Sequence, residues 1–355
     1  MTRFTTLALP FVLSTIVVFT ASATAAQPLP MEGPAGARSS GLPPETLATL
    51  ADLLRDRDRQ IRATAAHTLE RMGVAAVPHV LVPLRDADPK VRELAANVLR
   101  LIAADAHDAI PTVEGQLTDD IAALGDLAVP ALVERLHDES PSVRDAAVRA
   151  IREIGVHDQT AIASLAALLS DRDREIRASA AQTLARFGGD SVLSVLLPLG
   201  DGDPQVRELA AMVLRAIGPD AELAVPALAG RLCDPAVAVR SAAVLALRDI
   251  GTHDASTILG LALRLHDPDR QVRFTAAETL ARLKGDAVPA LIVQLPAADA
   301  RARELIARTL QLIGGDAKRA IPALTILLGD ANPSVRGAAA TALREVGSEA
   351  ESATP

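Results

Sequence analysis

One eighteen-residue unit constrains this chain more than anything else in it. The stretch Asp201-Gly202-Asp203-Pro204-Gln205-Val206-Arg207-Glu208-Leu209-Ala210-Ala211-Met212-Val213-Leu214-Arg215-Ala216-Ile217-Gly218 reads Asp-x-Asp-Pro-x-Val-Arg-x-x-Ala-Ala-x-x-Leu-x-x-Ile-Gly. It recurs nine times, with its arginine at Arg62, Arg92, Arg144, Arg177, Arg207, Arg240, Arg273, Arg303 and Arg336. Self-similarity at a short, nearly fixed period is the mark of a solenoid, which has no single core and grows by adding repeats.

Each unit describes a helix with its start and stop written in. Asp203 suits the N-cap, and Pro204 suits the first helical position, whose N–H has no intrahelical partner. Gly218 supplies the left-handed residue past the C-terminus. At 100° per residue, Val206, Ala210, Leu214 and Ile217 share one apolar stripe. A shorter apolar segment precedes each unit, as in Val225 to Leu232, so the repeat is a helix pair that must stack on its neighbours to bury itself. The fold class expected is all-α, a solenoid of stacked helix pairs spanning 42–347.

Composition fits closely spaced helices. Apolar residues make up 49% of the chain and are nearly all Ala, Leu, Val and Ile, with no Trp or Tyr and five Phe. A net charge of −8 and the lack of base-stacking aromatics argue against nucleic acid as a partner.

The segment 1–25 reads as a signal peptide. Arg3 gives the positive start, Leu7 to Thr20 the apolar segment, and Ala23-Thr24-Ala25 the small-residue cleavage site. The segment 26–41 is rich in Pro, Gly and Ser and reads as a flexible leader. An exported protein, periplasmic or secreted, with no membrane attachment after cleavage is the expectation; a retained anchor is the alternative. The lone Cys233 has no internal disulfide partner.

The sequence numbers of successive motif arginines differ by 30, 52, 33, 30, 33, 33, 30 and 33. The run 30, 33, 33 is itself repeated, and Asp171 to Arg177 reappears as Asp267 to Arg273 one such run later, which points to duplication of a three-repeat block. The interval from Arg92 to Arg144 is the one departure. Within it, Ile110-Pro111 and Val129-Pro130 both resemble starts of first helices, and their separation accounts for the whole excess over the usual spacing. A tenth repeat, truncated near 105–125, is therefore expected there. Past Gly347 the polar segment 348–355 reads as a disordered tail.

The unit resembles the short HEAT repeat of the type called PBS-lyase HEAT-like. That resemblance implies a right-handed, armadillo-like stack whose second, inner helices line a concave binding face, and it suggests a non-enzymatic scaffold for a protein partner. A lyase-like or chaperone-like activity on a bound chromoprotein or other protein client is the alternative. Related repeats in deoxyhypusine hydroxylase hold iron through His-Glu pairs, and no His-Glu dipeptide occurs here.

No catalytic, cofactor or metal site is expected. Paired aspartates such as Asp56 with Asp58 and Asp201 with Asp203 resemble the start of a calcium loop, but His67 and Met212 stand where that loop needs Glu. Their simpler role is to cap the second helix and to accept hydrogen bonds from the motif arginines in a ladder along the stack. His157 and His253 are separated by one three-repeat block and are copies of one loop position. For partner binding, positions one, five and eight after the motif arginine face away from the buried stripe. Three of them are apolar, Met212, Leu245 and Phe274, with Arg215, Arg248 and Arg282 as a basic rim, and Phe187 is assigned to the core.

Overall fold

The protein is described from a computed structural model. Backbone is described for residues 42–108, 114–155 and 157–352, and side chains for 42–107, 122–155 and 157–347. The expected signal peptide and leader lie outside the described residues. Everything described belongs to one compact unit and is helical or in connecting turns.

The helices form pairs: α1 (Pro44–Asp52) with α2 (Arg59–Arg71), α3 (Val77–Val80) with α4 (Pro89–Asp108), α5 (Glu114–Arg135) with α6 (Pro141–Ile154), α7 (Gln159–Ala167) with α8 (Arg174–Arg186), and α9 (Val192–Leu199) with α10 (Pro204–Ile217). They continue as α11 (Val225–Arg231) with α12 (Val237–Ile250), α13 (Ala255–Leu263) with α14 (Arg270–Arg282), α15 (Val288–Gln294) with α16 (Ala300–Ile313), and α17 (Ile321–Leu327) with α18 (Pro333–Ser352). Each even-numbered helix carries one of the nine motif arginines and packs on its partner and on the even-numbered helices next to it, one for α2 and α18 and two for the others. That three-sided packing widens the buried face. In α10 it takes in Val206, Ala210 and Leu214 as expected, and Ala211 and Val213 as well.

The stop and start chemistry is as the motif dictates. Asp58, Asp173, Asp203, Asp269 and Asp299 cap their helices by accepting a backbone N–H of the first turn. The residue eleven past the motif arginine takes a positive φ at Gly73, Gly155, Gly188, Gly218, Gly251 and Gly314, where a side chain would be strained. Lys284 occupies the same position with φ 51°, the one non-glycine among the described residues held there.

Connections sort the pairs into a cycle of three. After α2, α8 and α14 the chain makes a four-residue 3₁₀ turn (Gly73–Ala76, Gly188–Ser191, Lys284–Ala287). After α10 and α16 the 3₁₀ segment has seven residues (Gly218–Ala224, Gly314–Ala320). After α6 and α12 a loop ends in a capping aspartate, Asp158 or Asp254. The three-repeat period read from the C-terminal half therefore extends over the whole solenoid: α1–α6, α7–α12 and α13–α18.

Two expectations change. The insertion between Arg92 and Arg144 does not form a separate truncated pair: α4 extends to Asp108, and one continuous helix, α5, covers 114–135 with Pro130 inside it. Leu117, Ile121, Leu124, Ala128 and Leu132 keep a helical period, so the insertion lengthens a helix instead of interrupting it, and Leu124, Ala128 and Leu132 are fully buried. At the other end α18 continues past Gly347 to Ser352, because Ser348-Glu349-Ala350-Glu351 contains good helix formers.

Candidate partner-binding surface

What joins one repeat to the next bears on any surface they form together. The Arg207 guanidinium donates from Nη1 to the Asp201 and Gly202 carbonyls of its own loop, at 2.8 and 2.9 Å, and from Nε and Nη2 to both carboxylate oxygens of Asp234 in the next repeat, each at 2.8 Å. The same two-handed grip joins Arg92 to Asp138, Arg144 to Asp171, Arg240 to Asp267 and Arg303 to Asp330. Each acceptor also takes a backbone N–H of its own loop on Oδ1, as Asp234 does from Ala236. The ladder expected from sequence is thus a ladder between repeats, and bidentate charge-assisted bonds fix orientation as well as distance.

Rungs follow the spacing. They bridge the longer intervals, those that begin at Arg92, Arg144, Arg207, Arg240 and Arg303, and among the described residues none bridges the shorter ones, which begin at Arg62, Arg177 and Arg273. The four-residue 3₁₀ turns shorten those junctions and move the next loop. There the acidic residue meets the position seven before the arginine: Arg55 pairs with Asp86, and the Ser170 hydroxyl lies 3.5 Å from Asp201. In the third such junction Ala297 replaces the acid, and Nε2 of His266 is buried with no hydrogen-bond partner among the described residues.

Charges in the ladder are held firmly. Burial alone would raise the pKa of Asp138, Asp234 and Asp267, but the bonds from Arg92, Arg207 and Arg240 and from their own loops outweigh it and leave each below the usual carboxylate range. Asp254, a helix cap, is lowered to about 2 by hydrogen bonds from the Ser256 and Thr257 hydroxyls and the Thr257 N–H.

The even-numbered helices present a polar face at the position five past the arginine, where His67, Arg149, Gln182, Glu278 and Arg308 are exposed. Met212 on α10 breaks that pattern and is 49% exposed, and Phe274, one past the arginine of α14, is a second open apolar residue at 44%. Leu245, expected to complete the patch, is half-buried, because α12 packs between α10 and α14. The basic rim is also less free than the sequence implied. Arg215 and Arg248 both bind Asp249, at 2.6 and 2.8 Å between Nε and carboxylate oxygen, so one of the two positive charges is neutralised. Arg270 stacks over Phe274, its guanidinium carbon 5.2 Å from the ring centre. Phe187 is buried, as assigned, with the His157 ring 4.8 Å from its own.

Arg248, Glu278, Ala281, Arg282 and Leu312 surround an open hollow of about 470 Å³ across α12, α14 and α16. Leu312 is 67% exposed and was not singled out from sequence, although it occupies a position where Arg71, Arg186 and Arg282 stand in other repeats. A second apolar set was also missed: Val82, Leu197 and Val293 are exposed at one equivalent position of the three-repeat cycle, and Leu193 in α9 and Leu223 just before α11 are exposed as well. Their first-helix segments are too short for helical periodicity to show which residues face outward. Among the described residues no group of three or more His, Cys, Asp or Glu is placed to hold a metal ion.

A family model described as HEAT repeats matches residues 129–215, 198–264 and 288–354, more than half of the chain. The protein belongs to the HEAT-repeat family. Comparison with curated proteins gives no match. Among solved structures, this HEAT-repeat protein is similar to Kap121p bound to Ste12p and to Kap121p bound to Nup53p, each at 15% identity with a TM-score of 0.41, over 86% and 87% of this chain. It spans 41% and 42% of those chains, less than half their length.

Proposed function

We propose that this HEAT-repeat protein is an exported, non-catalytic scaffold that binds a protein partner on the face built by its even-numbered helices. The observation that carries this is the set of open side chains on α10, α14 and α16. Met212, Phe274 and Leu312 are exposed apolar groups, Leu312 sharing the hollow with Arg248 and Arg282, on a framework in which rungs join the repeats of α10, α12 and α14. Stacked repeats create extended binding surfaces of this kind, and exposed aromatics with neighbouring arginines are the residues that dominate protein interfaces. Leu245 contributes from a half-buried position, and Arg215 and Arg248 contribute as a fixed, partly neutralised pair on Asp249. The PBS-lyase HEAT-like subtype, and with it a client-directed lyase or chaperone activity, rests on the repeat motif alone. Export rests on the segment 1–25.

The partner is tested by cross-linking and recovery from the envelope and culture fractions of the producing cell, comparing the native chain with Met212→Asp/Phe274→Asp and with Leu197→Asp/Val293→Asp. Loss of a recovered partner in the first variant only, at unchanged melting temperature, supports the even-helix face. Loss in the second only moves binding to the odd-numbered helices. Recovery of the same proteins by all three chains removes the proposal.

A further inference from the structure

The three-repeat cycle gives the two ends of the solenoid a relationship that neither end shows alone. The last pair, α17–α18, is the counterpart of α11–α12 and of the later part of α5 with α6, displaced by one three-repeat block each time. The first pair, α1–α2, is the counterpart of α7–α8 and α13–α14: Asp56-Arg57-Asp58-Arg59-Gln60-Ile61-Arg62 matches Asp171-Arg172-Asp173-Arg174-Glu175-Ile176-Arg177. Inside the chain, a pair of the last kind is twice followed by a pair of the first kind. Both junctions carry a full rung, Arg144 to Asp171 at 2.8 and 2.9 Å, and Arg240 to Asp267 at 2.7 and 2.8 Å.

The faces that those internal junctions bury are open at the ends. On the last pair, Leu328 is 42% exposed where Leu232 and Leu136 are 1% and 0%, and Ile321 is 37% exposed where Val225 is 7%. Ala340 is exposed where Val148 and Val244 are fully buried. Arg336 holds its own loop through Nη1, at 2.8 and 3.1 Å from the Asp330 and Ala331 carbonyls, but its Nε and Nη2 edge has no partner among the described residues. On the first pair, Ile61 is 40% exposed where Ile176 and Val272 are 1% and 0%, and Leu50 is half-buried where Leu165 and Leu261 are fully buried. Asp56 accepts the Asp58 N–H on Oδ1, as the rung aspartates do, but no arginine among the described residues grips it.

We propose that copies of this chain associate head to tail, α17–α18 of one docking on α1–α2 of the next, with an Arg336–Asp56 rung between copies that repeats the junction found twice within each. The occupant is a second copy because the missing donor and the missing acceptor, and the apolar residues beside them, are supplied by the opposite end of the same chain in an arrangement the fold already uses. The two surfaces are different, so the contact is heterologous and propagates into chains or closes as rings; it does not stop at a two-fold dimer.

The test uses the full chain and light scattering with size separation over a range of concentrations. The native protein is expected to rise from the single-chain mass to multiples of it. Ile61→Asp and Leu328→Asp, on opposite ends, are each expected to remain at the single-chain mass with the melting temperature of the dilute native protein. Mixing these two variants gives a one-to-one dimer and nothing longer, since only one live end of each kind remains. A native chain that stays single at every concentration overturns the inference, as does association in either variant alone or no dimer in the mixture. A native chain that stays single while Ile61→Asp lowers its melting temperature shows that the segment 1–41 or another part of the same copy covers that face, which also overturns it.

Discussion

Arg240 and Asp267 lie 27 residues apart and are joined by two hydrogen bonds of 2.7 and 2.8 Å, with less than a tenth of either side chain exposed. The remaining donor of the same guanidinium holds the Asp234 and Pro235 carbonyls that shape its own loop. One side chain therefore sets the loop conformation of its repeat and the position of the next. Burying a charge pair is not in itself strongly stabilising, since desolvation offsets much of the attraction, but losing one member strands the other. The rung thus specifies how repeats meet more than it adds to net stability.

Acid should loosen the stack through these groups. The folded-state pKa values of Asp138, Asp234 and Asp267 lie below the carboxylate value of an unfolded chain, so their contribution is fully present above that value and is lost as pH falls through the lowered ones. Urea midpoints measured from about pH 5 to about pH 2.5 are expected to fall steeply, and less steeply in Asp267→Asn, which has one fewer titrating rung. Equal slopes for the two proteins would show that the rungs do not carry the pH dependence.

Lys284 takes a positive φ, as six glycines do at the same position in other repeats. A side chain there costs about 1 kcal/mol, partly returned by the greater freedom glycine gives the unfolded chain. Lys284→Gly is expected to gain up to about 1 kcal/mol, and Lys284→Val to lose more than that, because a β-branched residue fits the region worst. Urea unfolding of both variants measures this, and a loss of stability in Lys284→Gly would contradict the strain.

The junction between α14 and α16 lacks the acid that Asp86 and Asp201 provide elsewhere, and it leaves Nε2 of His266 buried without a hydrogen-bond partner among the described residues. Ala297→Asp supplies an acceptor at the exposed edge of that junction. The expected gain is about 1 kcal/mol, the typical net contribution of one new hydrogen bond. His266→Ala in the same background should abolish it, whereas a gain that survives His266→Ala would come from another contact.

Much of this fold is written in the motif. Asp203, Pro204 and Gly218 mark where α10 begins and ends, and the repeated arginine made a ladder readable before any coordinates. Which carboxylate each arginine grips was not readable, because it depends on whether the connection has room for the next loop to reach back, as the four-residue and seven-residue 3₁₀ segments show. The insertion was misread for a related reason: the prolines at Pro111 and Pro130 look alike in sequence, yet Pro130 is tolerated within α5. The surface was partly legible. Met212 and Phe274 stand out by helical position, whereas the half-buried state of Leu245 and the shared grip of Arg215 and Arg248 on Asp249 arise from neighbours that a single helical wheel omits.

The central structural claim is that rungs couple repeats across the longer junctions and not across the shorter ones that begin at Arg62, Arg177 and Arg273. A pair of double-mutant cycles by equilibrium urea unfolding tests it most directly, one on Arg240 and Asp267 and one on Arg177 and Asp201, each with both single alanine variants and the double. The account predicts a coupling energy of at least about 1.5 kcal/mol for Arg240 with Asp267 and no more than about 0.5 kcal/mol for Arg177 with Asp201. Additive effects in the first cycle, or equal coupling in the two, would contradict it.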